Sequence, residues 1–358
     1  MTDERDDFSR LRCAVFGGGN GWGKRIAETI AGADGRVLII EKDDGADTAL
    51  AAIHDSDVVF IAIPDADIDA LLQQFHEPLK SKTLLDCATN KSGFGITLQQ
   101  LAEDGASICS THPMAASGGV LRGQNALIMP VGGQSFHAER FARHLYGRLG
   151  MHCRALPFGQ HTELMAAVQM LPHVIQRLFI DALGHGLLKL GIGIGELDAL
   201  ASANYLLAEL GLGRVAAQRA GISAGIIETA MQDSFGRELM DVLRQGLQRI
   251  QHAGQSRAEL EALFDAGTRR LDPDGGWRRD MAGKSEAALI RLGNLRSRSL
   301  TIEAPNRIGM LRDILSVLAD HGIDMTALDS LLLKADDGSE RVYFDIAISN
   351  ESVPRESI

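Results

Sequence analysis

The sequence predicts an α/β chain in three parts: a parallel-sheet domain over residues 1–153, an all-helical domain over 154–293, and a small α+β module over 298–358. Three changes of texture predict this. Short apolar runs alternate with helix-like stretches up to about residue 153, which implies a parallel sheet covered by helices on both faces. From about residue 160 to 293 the chain is almost entirely apolar-periodic with few β-branched runs. After Arg298 strict strand alternation returns.

Residues 11–16, LRCAVF, form the first strand-like run and end in GGGNGWG at 17–23. A helical spacing of Ile26, Ala27 and Ile30 follows. The runs VLIIE (37–41), DVVFIAIP (57–64), TLLDCAT (83–89) and ALIMPVGG (126–133) continue the series, and ASICST (106–111) places His112 at the C-terminal end of a strand. In the middle part LMAAVQMLPHVIQRLFIDALGHGLLKL is apolar on most sides, as expected of a helix buried within a domain or between subunits. Pro172 removes a donor there and predicts a local bend. Residues 294–299 read as a linker. Beyond it Leu300, Ile302 and Ala304 alternate inward. A helix carries the stripe Met310, Leu311, Ile314, Val317 and Leu318, and Val342, Phe344, Ile346 and Ile348 share one strand face.

The chain has 358 residues and a formal net charge of −11, which argues against nucleic acid and anionic lipid as partners. An anionic substrate would need a local cluster of positive charge. The apolar stretch 164–195 is interrupted by Gln169, His173, Gln176, Arg177, Asp181, His185 and Lys189, so it does not read as a membrane span. The acidic, polar N-terminus does not read as a targeting segment. Cys13, Cys87, Cys109 and Cys153 lack metal-ligand or CxxC spacing and read as buried thiols in a reducing compartment. No metal site is expected, and the cytoplasm is the expected location.

The glycine turn fits the GxGxxG fingerprint best as Gly18-x-Asn20-x-x-Gly23, with Asn20 where the second glycine stands. Such a turn brings backbone amides to a pyrophosphate at a helix N-terminus. Glu41 ends the next strand, where a carboxylate accepts from ribose hydroxyls and repels a 2′-phosphate, favouring NAD over NADP. The cofactor set is therefore Gly18, Gly19, Asn20, Gly21, Trp22, Gly23, Glu41 and Pro64, in a Rossmann-type domain. The alternative is a glycine turn that only packs a helix on a sheet.

The motifs GGGNGWG, VLIIE, DCATNK, HPM and QMLPH occur in the order seen in prephenate dehydrogenases, a group that includes arogenate dehydrogenases, and the chain resembles that family from about residue 11 to 350. The stretch LTIEAPNRIGMLRDILSVLADHGIDMTALDS resembles an ACT domain. The family resemblance implies NAD-dependent oxidative decarboxylation of a cyclohexadienyl acid in tyrosine biosynthesis. It implies a homodimer formed through the helical domain.

The chemistry needs a base near neutrality for a ring hydroxyl and a cation for a ring carboxylate. The resemblance assigns the base to His112 of the HPM element. A packed histidine before a proline turn is the alternative. Thr89 and Lys91 match a D-x-x-S-x-K element near the hydroxyl, with Thr89 as a helix cap the alternative. His173 matches the substrate-proximal histidine of LPH, with a hydrogen-bonded helix histidine as an even rival, and Arg214 matches the carboxylate-gripping arginine. His161 stands in an element similar to EHD, but Thr162 replaces the acid, so no catalytic role is expected of it. HPM is followed by Ala115-Ala116 where the family continues with Phe-Gly, which leaves prephenate, arogenate and 4-amino-4-deoxyprephenate open as substrates.

In the ACT-like part the loop Asn306–Gly309 would hold an amino-acid effector such as tyrosine, with Asn306 and Gly309 as its contacts. The pattern is incomplete, because a second helix and fourth strand are not seen before Ile358. A dimerisation remnant is the alternative. Two rival functions remain. One is a β-hydroxyacid dehydrogenase, which Lys189 in its LLKLG setting does not match; the other is a non-catalytic sensor of NAD and amino acids.

Overall fold

The computed structural model describes residues 8–296, 299–334 and 340–348. The chain divides into two compact units, Met1–Pro172 with Ala224–Asp241, and His173–Ser223 with Val242–Ile358.

The first unit is built on a seven-stranded sheet: β1 (Arg12–Phe16), β2 (Arg36–Ile40), β3 (Val58–Ile61), β4 (Thr83–Asp86), β5 (Ser107–Pro113), β6 (Asn125–Val131) and β7 (His152–Ala155), in the order β2-β1-β3-β4-β5-β6-β7. Strands β1 to β5 are parallel, as the alternation of strand and helix requires. The sheet is nevertheless mixed, because β6 runs antiparallel to β5. Residues 114–124 join those two strands without a helix, and a connection that short returns the chain directly beside itself. Helix α6 then restores a parallel β6–β7 pair.

Helices cover both faces. In chain order they are α1 (Gly21–Ala31), α2 (Ala46–His54), α3 (Asp65–Gln74), the one-turn α4 (His76–Leu79), α5 (Gly95–Glu103) and α6 (Phe136–Arg148). Ile53, Leu72, Leu98 and Leu101 pack with Val59, Ile61 and Leu84 on one face. Ile26, Ile30, Leu145 and Tyr146 pack with Val15, Phe60 and Leu85 on the other. Strand β3 is apolar and buried throughout, as a central strand covered twice must be.

The chain beyond β7 still packs on this sheet. Leu156, Phe158, Leu164 and Met165 join Leu127 and Met129 in one apolar cluster. Helix α7 (His161–Met165) leads through a π-helical turn at Ala166–Met170 into α8 (Leu171–Leu190). Pro172 is therefore the second residue of α8, where a missing N–H is least costly, and the π turn precedes it.

The second unit carries most of the remaining helices: α9 (Leu197–Leu200), α10 (Ala203–Ala217), α11 (Ala220–Gln232), α12 (Ser234–Ala253), α13 (Arg257–Leu271) and α14 (Gly276–Arg296), of which α11 and α12 also contribute residues to the first. Helix α8 leaves Ile175, Leu178, Leu188 and Leu190 exposed, so the described residues do not supply the full burial expected for it. The expected linker at 294–299 is shorter than the sequence suggests: α14 runs to Arg296, β8 (Ser299–Pro305) begins at Ser299, and residues 297–298 lie outside the described residues.

The last part has the expected strand, helix, strand, strand order: β8, α15 (Met310–Asp320), β9 (Met325–Lys334) and β10 (Glu340–Ile348), with β10 central and antiparallel to both neighbours. The packed stripe of α15 is Met310, Leu311, Ile314, Leu315 and Leu318. Val317, expected inward, is exposed; Leu315 takes the inward place at the same helical spacing. Residues 349–358, which complete the predicted third part, lie outside the described residues.

The glycine turn fixes how closely α1 sits on β1. Gly17 has φ 78°, and a Cβ on Gly23 would fall 2.0 Å from the Gly17 carbonyl oxygen. Gly23→Ala should therefore cost about 1–3 kcal/mol through overpacking against backbone. Gly147, in α6, has open space around its Cβ position, so Gly147→Ala should be neutral or stabilising. Urea midpoints of the two variants check this contrast.

Candidate functional site

The parallel strands β1, β3, β4 and β5 all end on one edge of the first unit's sheet, and the chain turns there into chemistry-bearing residues. Ligands of open α/β sheets bind at this edge, beside the point where the strand order reverses. That point lies between β1 and β3, since the chain goes from β1 outward to β2 and then across to β3.

At the end of β1, Asn20 caps α1 with extended backbone (φ −149°) and no side-chain cap bond. The first amides of the helix are thus left to other partners. The Gly19 N–H donates to Glu41 Oε1 at 2.5 Å, which brings the acidic residue after β2 onto the glycine turn. Gly18 lies against Ile39, and Gly21 has open space on its Cβ side. Trp22 turns inward, edge to face with Tyr146 at 6.3 Å between centroids. Pro64 caps α3 at the end of β3. Gly17, absent from the sequence-derived set, is the residue with the tightest backbone requirement at the strand end. Its signal was available in the three consecutive glycines.

At the ends of β4 and β5 a polar cluster is buried. Asp86 is the last residue of β4. Lys91, in the loop toward α5, donates to Asp86 Oδ1 and to the Thr111 carbonyl at 2.8 Å. Lys91 is 3% exposed and Asp86 1%. Thr111 Oγ1 donates to the Asp86 carbonyl and lies 2.7 Å from the Tyr146 hydroxyl. Two of three ammonium hydrogens of Lys91 are therefore spent on protein, and its first task is to hold a fixed buried charge. Thr89 is exposed in the same loop. It is not a helix cap, because α5 starts at Gly95 with Phe94 as its cap residue.

His112 lies on β5 opposite Leu127 of β6. Its side chain points to the face opposite Thr111, as strand alternation requires. There His112 Nδ1 meets His161 Nε2 at 3.0 Å, with the rings tilted by 58°. Both rings are buried, and His161 Nδ1 has no hydrogen-bond partner. Burial, then the Lys91 charge and His161, hold the His112 imidazole well below its ordinary value. Burial and Lys91 push His161 down to about 3. Both are neutral near neutrality. His161, of which no catalytic role is expected from sequence, is thus the direct partner of His112. The missing acid beside it hid this, since the contact depends on α7 folding back over β6.

In the second unit His173 Nδ1 lies 3.0 Å from Ser223 Oγ, which also accepts from Arg177 Nε at 3.1 Å. Arg177 donates further to the Val215 carbonyl at 2.8 Å. Burial and the charges of Arg177 and Arg214 lower the His173 proton affinity. Arg214, on α10, is exposed, and among the described residues no carboxylate pairs with it or with Arg177. Arg177 was missed, although it stands one helical turn after His173. At the third part, Asn306 is exposed, Gly309 caps α15 with φ 86°, and Asp313 in the first turn takes both Arg307 and Arg312. Those two cations are already neutralised.

The fold is that of a Rossmann-like mixed-sheet domain followed by helices. Solved structures share it: a Corynebacterium glutamicum protein assigned to the prephenate dehydrogenases (TM-score 0.56, 18% identity, 75% of this chain and 90% of that one) and Synechocystis arogenate dehydrogenase (0.54, 15%, 73% and 98%). Prephenate dehydrogenase from Aquifex aeolicus, solved with hydroxyphenyl propionate and NAD+, is a third (0.52, 14%, 74% and 99%). These are the proteins whose motifs the sequence resembles. No protein-family model matches the chain, and no curated protein matches it.

The neutral histidine pair couples stability to pH. In the unfolded chain a histidine takes up a proton below about 6.5, whereas folded His161 resists protonation down to about 3. The unfolded state then binds more protons across that window, so stability falls as pH drops from 6.5 toward 3. Urea midpoints measured from pH 7 to 4 should fall less steeply for His161→Gln, which has no titrating group, than for the parent chain. Equal slopes would contradict the buried neutral pair.

Proposed function

We propose that the chain is an NAD-dependent dehydrogenase that oxidatively decarboxylates a prephenate-like cyclohexadienyl acid. The observation that carries this is His112: a neutral, buried imidazole with Nδ1 committed to His161, on the same sheet edge as the glycine turn and Glu41. A base that must take a proton from a ring hydroxyl needs a deprotonated nitrogen at neutral pH, and Nε2 of His112 is that nitrogen.

The residues at the glycine turn fit the dinucleotide. A Cβ at Gly23 would fall 2.0 Å from the Gly17 carbonyl oxygen, so the turn tolerates no side chain where the helix meets the strand end, and the backbone stays open to a close ligand. When bound, NAD supplies the acceptor for the hydride. The turn from Gly18 to Gly23 would bring backbone amides toward its pyrophosphate, with the Gly19 amide held by Glu41 and that of Gly17 spent on the Ile40 carbonyl; Glu41 would accept from ribose hydroxyls and Pro64 would border the site. Thr89 donates to the substrate hydroxyl region, and Lys91 has one ammonium hydrogen beyond those given to Asp86 and Thr111. Arg214 grips the ring carboxylate, whose loss as carbon dioxide aromatises the ring, and His173 lies close to the substrate. That no carboxylate pairs with Arg214 among the described residues supports that role.

The domain bounds 1–153, 154–293 and 298–358 accompany this reading, as does a homodimer through the helical domain, supported by the exposed Ile175, Leu178, Leu188 and Leu190 of α8. An amino acid such as tyrosine at Asn306 and Gly309 is the proposed effector, and the cytoplasm the proposed location; no helix among the described residues is long and apolar enough to cross a membrane. A second reading, an amino-substituted substrate, is favoured by Ala115-Ala116, since two small side chains after the HPM element leave a differently shaped pocket.

NADH formation with prephenate, arogenate and 4-amino-4-deoxyprephenate tests the class and ranks the substrates. His112→Asn should lower turnover on the best of them by roughly two to four orders of magnitude while NAD binding is retained. Turnover of none of the three would refute the dehydrogenase reading. Full function with His112→Asn would point to a sensor instead.

A further inference from the structure

Sequence reasoning had set His161 aside, and no step of the proposed reaction uses it. Yet it is 1% exposed, its Nε2 lies 3.0 Å from His112 Nδ1, and it is the partner of the imidazole on which the reaction depends. A buried polar side chain held against a proposed base sets which nitrogen of that base carries hydrogen.

Two neutral imidazoles can share one hydrogen bond in two ways. In the first, His112 Nδ1–H donates to His161 Nε2, His112 Nε2 is unprotonated, and the hydrogen of His161 sits on Nδ1, for which there is no partner among the described residues. In the second, His161 Nε2–H donates to His112 Nδ1, and the hydrogen of His112 sits on Nε2, where it removes the base. Only the first arrangement survives proton transfer. An imidazolium at His112 carries hydrogen on both nitrogens, so it must donate from Nδ1, and the second arrangement would set two N–H groups against each other.

We propose that His161 is a positioning residue for His112: it accepts the Nδ1 hydrogen, holds His112 in the tautomer with a free Nε2, and keeps that bond when Nε2 gains the substrate proton. The inference rests on the dehydrogenase reading for its catalytic consequence but not for its tautomer.

The proton balance is simple. The hydroxyl oxygen of the substrate loses its proton to His112 Nε2; the O–H electron pair stays on that oxygen, and one positive charge forms on the imidazole. Nothing is oxidised or reduced in this transfer. That charge arises near Lys91, which opposes it. Asp86, bonded to Lys91, moderates the field, as does Asp65 farther out, which bonds the Asn90 amide. A neutral acceptor on Nδ1 gives the imidazolium a charge-assisted hydrogen bond. Removing it would leave an imidazolium donor unpaired in a buried site.

The test reads the ring nitrogens of His112 directly, by nitrogen-15 correlation spectroscopy on the full chain at neutral pH, with the His112 signals assigned through His112→Asn. The parent chain should show His112 protonated at Nδ1 and unprotonated at Nε2. His161→Phe should move the hydrogen largely to Nε2. His161→Gln, whose amide carbonyl reaches where the ring nitrogen was, should keep it on Nδ1. A parent His112 protonated at Nε2, or a tautomer unchanged in His161→Phe, would overturn the inference. The parent measurement needs no variant to fold.

With an accepted substrate, His161→Phe should lower kcat by roughly ten- to a thousand-fold with KM little changed, and His161→Gln should recover part of the loss. Equal losses in both variants would mean a packing role and also overturn it. If no substrate turns over, the dehydrogenase reading fails while the nitrogen spectra still decide the tautomer.

Discussion

The buried pair of Lys91 and Asp86 is the constraint on which the rest of the first unit's site depends. Two charges removed from water are costly, and breaking such a pair by removing one partner typically costs about 3–5 kcal/mol. The structure meets that cost by using the pair as a joint. Asp86 ends β4, Lys91 belongs to the loop beyond it, and the ammonium reaches the Thr111 carbonyl on β5. The loop that carries Thr89 and Asn90 is thereby tied to two strand ends. Thr111 completes the tie through the Asp86 carbonyl and the Tyr146 hydroxyl of α6. Position and charge are set together: the ends of two strands are fixed, and a cation is fixed between them.

Burial first, and then that cation, explain the state of the histidines. Burial alone disfavours a charged imidazole, and a neighbouring positive charge disfavours it further. His112 and His161 experience both. The sheet supplies the rest of the geometry. Because side chains alternate, Thr111 turns toward α6 while His112 turns toward the segment after β7. Because β6 runs antiparallel beside β5, the apolar residues Leu127 and Met129 form the floor on which Met165 packs, which brings His161 of α7 to His112. The departure from an all-parallel sheet is thus what provides the histidine with its partner.

The strand positions in the first part were legible because central strands buried on both faces read as apolar runs, and β1, β3 and β4 lie within them to a residue or two; β2, a partly buried edge strand, is apolar as well. The sign of β6 was not legible, since an apolar run carries no direction; the direction lies in the short helix-free connection after Pro113. Gly23 was legible from spacing, whereas Gly17 was masked by a run of glycines with several possible registers. Lys91 and Asp86 stand in one motif, DCATNK, but their pairing across a loop was invisible to a reading that matched residues one by one. His161 was missed for a related reason: its importance comes from a contact 49 residues away, not from its neighbours in sequence.

On the proposed reading His112 is a base held beside a fixed cation, which weakens it, and this bears on what it can act upon. In the free protein the Lys91 field lowers the proton affinity of His112 Nε2 and keeps the nitrogen deprotonated and ready. The same field penalises the imidazolium that forms when the proton is taken. An uncharged alcohol would offer nothing against that penalty. An acid with carboxylates near its reacting hydroxyl brings negative charge into the low-dielectric site, where it is worth far more than in water. It would offset the cation as the proton moves. The chain as a whole, at −11, repels such a ligand at long range, but screening confines that repulsion to roughly a Debye length, about 8 Å at physiological salt. At contact, the field is that of the buried ammonium as moderated by its bond to Asp86. On the proposed reading, the polarity of the cluster suits an anionic substrate by the same arrangement that keeps the histidine neutral.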